Sequence, residues 1–205
     1  MNFKLASLLA AGLFASAPTF AADVLVDFDG PASFDSIGEY YNGAVEALGV
    51  SFGLDALALK NDELGPYFSN APSPAGVMTV VGTDATMNFA MGFTGASFSY
   101  SYAPLEETDP FAFIVGVYSG LNGTGTLLSA FAVVNNAQNG CNDSPYCNWN
   151  FASTSFNGVA KSIAFGSAVS YGIDNLTITA VPEPTQALML ALGLAAVLVG
   201  ARRKS

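Results

Sequence analysis

The sequence of 205 residues holds no histidine, two cysteines, one tryptophan and six basic residues. Without histidine, the Ser-His-Asp and Cys-His forms of nucleophilic catalysis are closed, as is every histidine metal site. Any catalysis would have to rest on carboxylates, tyrosines or lysines. Basic side chains are scarcer still within the body of the chain. Between residues 22 and 180, Lys60 and Lys161 stand against fifteen acidic residues, a net charge of about −13. Phosphate contacts need Lys and Arg, so partnership with nucleic acid or anionic lipid is excluded. The same balance suits a soluble extracellular protein and leaves carboxylates for cations. Cys141 and Cys147 do not form a Cys-x-x-Cys redox motif, and no further thiol or imidazole is present to complete a metal site. In an oxidising compartment they are expected to pair, closing a small loop over residues 142–146. Such a loop is worth about 2 kcal/mol in the chain-entropy account.

The apolar residues are concentrated at the two ends. Lys4 precedes an apolar run over residues 5–22, interrupted by Ser16, Pro18 and Thr19. A single basic residue, a short apolar core and small residues at Thr19 and Ala21 predict a secretory signal peptide over residues 1–21. The alternative, a membrane anchor, asks for a longer unbroken core. Toward the other end, Val181-Pro182-Glu183-Pro184 precedes an apolar run over residues 187–201, and Arg202, Arg203 and Lys204 follow. That run approaches spanning length once snorkelling arginines are counted. Basic residues stay on the cytoplasmic side, which puts the body outside the inner membrane.

Pro-Glu-Pro, an apolar helix and an arginine cluster, in that order, resemble the PEP-CTERM sorting signal of Gram-negative bacteria that make extracellular polysaccharide. The resemblance covers residues 181–205. It implies cleavage near the motif by an exosortase, a membrane-embedded cysteine transpeptidase, after a transient stay in the inner membrane. The protein would then pass to the cell surface or the extracellular matrix. The alternative is an ordinary anchor that is not processed.

The residue mix of the body predicts an all-β domain over residues 22–180. Strands are expected over residues 24–28, 49–53, 56–59, 77–81, 86–91, 96–102, 111–118, 126–134, 149–156, 162–165 and 172–179. Phe98, Tyr100 and Tyr102 alternate with Ser97, Ser99 and Ser101, which predicts a half-buried antiparallel strand. Gly82-Thr83-Asp84 predicts a hairpin between residues 77–81 and 86–91. Residues 36–48 are a candidate short helix, weakened by Gly38 and Gly43. Many short strands with glycine turns predict an antiparallel β-sandwich or jelly roll of about ten strands, with the first and last paired. Three loose motifs, at residues 26–29, 70–73 and 171–176, resemble those of PEP-CTERM proteins with carbohydrate-binding-like sandwich bodies.

Two candidate sites follow. If the terminal strands pair, Asp27, Asp29, Asp174 and Asn175 converge, and these oxygens match the chemistry of one structural Ca²⁺. Parity puts Asp174 and Asn175 on opposite faces unless one lies at a bulge. The alternative is that these groups cap turns. For glycan stacking, Tyr67, Tyr146 and Trp149 lie in loops rich in Asn and Asp, with Tyr40 and Tyr41 less favoured; core packing is the alternative for each. A glycosidase needs two facing carboxylates, and no segment marks such a pair. The sequence reads as a non-enzymatic surface or matrix protein associated with exopolysaccharide, in biofilm or floc. The alternatives are an adhesive protein that binds other proteins and, more remotely, a glycosidase.

Overall fold

The computed structural model describes residues 22–103, 112–136, 143–166, 170–181 and Gly193. Nine antiparallel strands run in order β1 (Asp23–Val26), β2 (Val50–Phe52), β3 (Ala56–Leu59), β4 (Val77–Val80), β5 (Thr86–Ser101), β6 (Ala112–Tyr118), β7 (Leu127–Val134), β8 (Asn150–Ala164) and β9 (Tyr171–Ala180). Their spatial order is β3-β4-β9-β5-β8-β6-β7, with β1 on β9 and β2 on β5. Between residues 22 and 181 the described residues contain no helix, and no described helix is long and apolar enough to cross a membrane.

Two strands are too long for one layer. β5 pairs with β8 over its whole length, but the register shifts between Asn88 and Phe93, around Gly92 at φ 88°. Before the shift β5 pairs β2, and after it β5 pairs β9. β8 bends near Gly158, at φ 100°, and its last residues pair β6. Both strands therefore pass from one layer of a β-sandwich to the other, as bulged strands do at sandwich corners. Residues 86–91 and 96–102 accordingly form one strand rather than the two expected, and residues 149–156 and 162–165 likewise.

The core lies between the layers. Phe98 stands 4.6 Å from Phe131 and 5.4 Å from Phe165, and Phe113 stands 4.7 Å from Tyr171. Phe98, Tyr100 and Tyr102 face this core, as alternation requires. The opposite face departs from expectation, because Ser99 and Ser101 are buried too. The segment carrying Tyr146 and Trp149 covers that face of β9.

The hairpin between residues 77–81 and 86–91 does not form. Both edges of β4 are taken, by β3 and β9. The turn between them is tied to the β2–β3 connection instead: Asp55 N–H donates to the Asp84 carbonyl, and Asp84 N–H donates to Asp55 Oδ2. Residues 36–48 form turns rather than a helix, with Gly38 and Gly43 at positive φ and a bridge between Asn42 and Ala47.

Candidate functional site

β1 pairs β9 in the register Val26 to Leu176. This brings Asp27, Asp29 and Asp174 toward one another. They meet around Ser73, which sequence reasoning quoted only within a motif. β1 ends at Val26, so Asp27 and Asp29 do not share a strand face. The chain turns at Phe28, which takes φ 63°, and Asp29 N–H donates to Asp27 Oδ1. The parity problem at residues 174–175 is resolved by a bulge: Asn175 adopts φ 50°, and the β5–β9 register shifts there. Asn175 contributes its N–H to Asp174 Oδ1.

Ser73 lies between Pro72 and Pro74, and its N–H donates to Asp174 Oδ2 at 2.7 Å. Its hydroxyl has four acceptors: Asp29 Oδ1 at 2.8 Å, Asp174 Oδ1 at 2.9 Å, the Asp27 carbonyl at 3.0 Å and the Gly76 carbonyl at 3.1 Å. A hydroxyl carries one proton, so it satisfies one acceptor at a time. Gly76 must be glycine, because a Cβ would stand 2.3 Å from the Phe28 carbonyl.

Asp174 is fully buried. Burial pushes its carboxyl up to about 6; donation from Ser73 and Asn175 opposes the shift, and the Asp29 charge adds to it. The folded chain thus holds this proton to a higher pH than the unfolded chain, whose value is 3.8. The stabilisation is fully present below the unfolded value and is lost as pH rises through 6. In chelator, urea unfolding is expected to show about 1–2 kcal/mol less stability at pH 7.5 than at pH 4.5 from this group, after solvent screening. In Asp174→Asn that increment should vanish. An identical pH profile in both proteins would refute the assignment.

Among the described residues, no group of three or more His, Cys, Asp or Glu side chains is placed to hold a metal ion. The oxygens around Ser73 are of another kind, two carboxylates and two backbone carbonyls. That mixture fits a hard cation such as Ca²⁺ and not a softer metal. Four acceptors around one proton are the observation that favours the fit. Asn175 joins this cluster through its N–H, which donates to Asp174 Oδ1.

Tyr67, Tyr146 and Trp149 come together in a second apolar cluster with Leu59, Phe68 and Val77. Tyr146 is interior to it. Its hydroxyl bonds Ser170 and its ring lies over Gly172, so it offers no face for stacking. Trp149 is half-buried and donates its indole N–H to the Ser69 carbonyl at 2.9 Å. Tyr41 is fully buried, and Tyr40 packs half-buried on the core.

Tyr67 is half-buried, as Trp149 is, and it has a neighbour that sequence reasoning missed. Phe34 stands 5.3 Å away, edge to face, and is 51% exposed. Phe34 also adopts φ 64°, a strained conformation for an aromatic residue. Two backbone bonds hold it there, Phe34 N–H to the Ala58 carbonyl and Ala58 N–H to the Asp35 carbonyl. The Tyr67 loop is equally fixed. Asn61 Oδ1 accepts from the N–H of Tyr67 and of Phe68, and Asn61 Nδ2 donates to the Phe68 carbonyl. Desolvation raises the Tyr67 pKa, as do the Asp62 charge and a hydrogen bond to Asp62. The one sequence signal for Phe34 was an aromatic residue among the turn-formers of residues 30–36.

The K2 cleaved adhesin domain of Lys-gingipain has a TM-score of 0.51 at 14% identity, over 77% of this chain and 99% of that one. The body is similar in fold to that adhesin domain. CsCBM6-3 from Clostridium stercorarium, solved with cellobiose, gives 0.41 at 12% identity over 77% of this chain and 94% of that one. A GH87 α-1,3-glucanase catalytic domain in complex with nigerose gives 0.45 at 12% identity, over 81% of this chain but only 30% of that one. No family model and no curated protein sequence matches.

Asp29 and Asp174 share the Ser73 hydroxyl. Residues 1–21, Cys141, Pro182, Glu183, Pro184, Arg202, Arg203 and Lys204 lie outside the described residues; Val181 is described and its N–H donates to the Gly92 carbonyl.

Proposed function

We propose that this chain is an exported cell-surface or matrix protein whose β-sandwich body adheres to extracellular polysaccharide and carries no catalytic role. The observation that carries this reading is the rigid corner where exposed Phe34 meets half-buried Tyr67, on a strongly acidic body. Residues 1–21 direct export, and residues 181–205 direct exosortase sorting out of the inner membrane of a Gram-negative bacterium. The body closes as a jelly roll, with Cys147 in its disulfide-bonded state pinned to Cys141. Asp29 and Asp174, with the Asp27 and Gly76 carbonyls, are the groups that would hold one Ca²⁺.

Two measurements test this. Intact mass of the surface-exposed protein is expected to show loss of residues 1–21 and of the tail from Arg202 to Ser205. Retention of Arg202, Arg203 and Lys204 would refute the sorting. The exported protein is also expected to bind host exopolysaccharide saturably, and to melt higher in calcium than in chelator. A melting temperature indifferent to calcium removes the ion, and absence of binding removes the glycan reading.

Adhesion to another protein is the second reading, favoured by β7. Among the described strands β7 pairs only with β6, and its sequence Leu127–Val134 carries no charge. Such an edge is a template for strand addition.

A further inference from the structure

The Phe34–Tyr67 corner has a chemistry that narrows its ligand. We infer that it is a stacking subsite for one or two sugar rings of a glycan without anionic groups, neutral or amine-bearing. The inference rests on the glycan reading above and adds the site and the ligand's charge class.

Three independent features meet at this corner. The first is strain. Phe34 is held at φ 64° by bonds to β3 while its ring points outward, 51% exposed. Burial gains little for a ring so placed, and residues kept in such conformations cluster at ligand sites. The second is pre-organisation. Asn61 ties the backbone of Tyr67 and Phe68, and the Ser33 hydroxyl exchanges bonds with the N–H and carbonyl of Lys60. Rings fixed before binding lose little entropy on binding. The third is size. Two rings at right angles fall well short of a stable protein interface and match a sugar.

Charge then decides the class. Asp35, Asp62 and Glu63 are exposed on the same two segments. The nearby cation, Lys60, turns its ammonium to the Gly30 carbonyl. A uronate or sulfated chain would meet acidic groups here with no paired cation, inside a body of about −13. A hydroxyl or ammonium finds acceptors instead.

The test uses the exported protein against immobilised laminarin (neutral), chitosan (amine-bearing) and alginate (uronate). Variants are Phe34→Gly, Tyr67→Ala and, as control, Phe151→Ser, whose ring is 71% exposed on β8. Glycine suits φ 64°, so Phe34→Gly is expected to fold and to melt no lower than the parent. Binding to laminarin or chitosan, weakened at least about tenfold in Phe34→Gly and Tyr67→Ala and unchanged in Phe151→Ser, is the expected result. Unchanged binding in the two corner variants would overturn the site but leave glycan association standing. Binding to alginate alone would overturn the charge class. Binding to none of the three nor to host exopolysaccharide would overturn the proposed function itself.

Discussion

Ser73→Ala is expected to cost about 2–4 kcal/mol at pH 7.5 without calcium, far more than an ordinary serine deletion. The lost hydroxyl is the proton donor lying between two carboxylates and two carbonyls at a site buried on its Asp174 side and partly open on its Asp29 side. Its removal leaves those acceptors facing one another, and each buried unsatisfied group costs about 1–3 kcal/mol. The backbone N–H of residue 73 still donates to Asp174 Oδ2, which limits the damage. The loss should shrink at pH 4.5, where a protonated Asp174 supplies the missing hydrogen. Urea unfolding of parent and variant at the two pH values measures it. A loss below about 0.5 kcal/mol at both would show that the four contacts carry no energy. Calcium added to the variant should restore part of the loss if the same oxygens take a cation.

Phe98→Ala should be the most damaging single truncation in the core, at about 3–5 kcal/mol. Phe98 sits on the second half of β5 and touches Phe131 of β7, Phe165 beyond β8 and Tyr100 of its own strand. It therefore joins the two layers rather than filling one. The cavity would open between the layers. Thermal unfolding followed by near-ultraviolet circular dichroism is the check. A shift of only a degree or two would mean that the layers are held elsewhere.

What was legible in the sequence follows from what repeats. The alternation of Phe98, Tyr100 and Tyr102 with serines reports a strand and its core face, because side chains alternate at every residue of a strand. The pairing of the first and last strands, and with it the meeting of Asp27, Asp29 and Asp174, was readable from the sandwich expectation. Single events were not. A shift at Gly92 merges two expected strands into β5, and nothing in the local pattern separates a bulge from a turn. The missing hairpin shows the same limit: Gly82-Thr83-Asp84 turns the chain, but competition from β3 and β9 for β4 decides the partner. Ser73 and Phe34 escaped for a related reason. Each owes its role to a distant segment, Ser73 to residues 101 positions away and Phe34 to the hydrogen bonds of β3.

The position of β9 sets an order of events. It lies between β4 and β5 in the strand order and also carries β1, so the last strand to be made stands amid the earliest ones. Until residues 171–180 are in place, β1 lacks its partner β9 and β4 and β5 cannot be joined through it. A chain made from its N-terminus would therefore wait open, its apolar faces uncovered, and close only when β9 arrives. A chain cut short before Tyr171 would never close at all, so proteases would clear incomplete copies first.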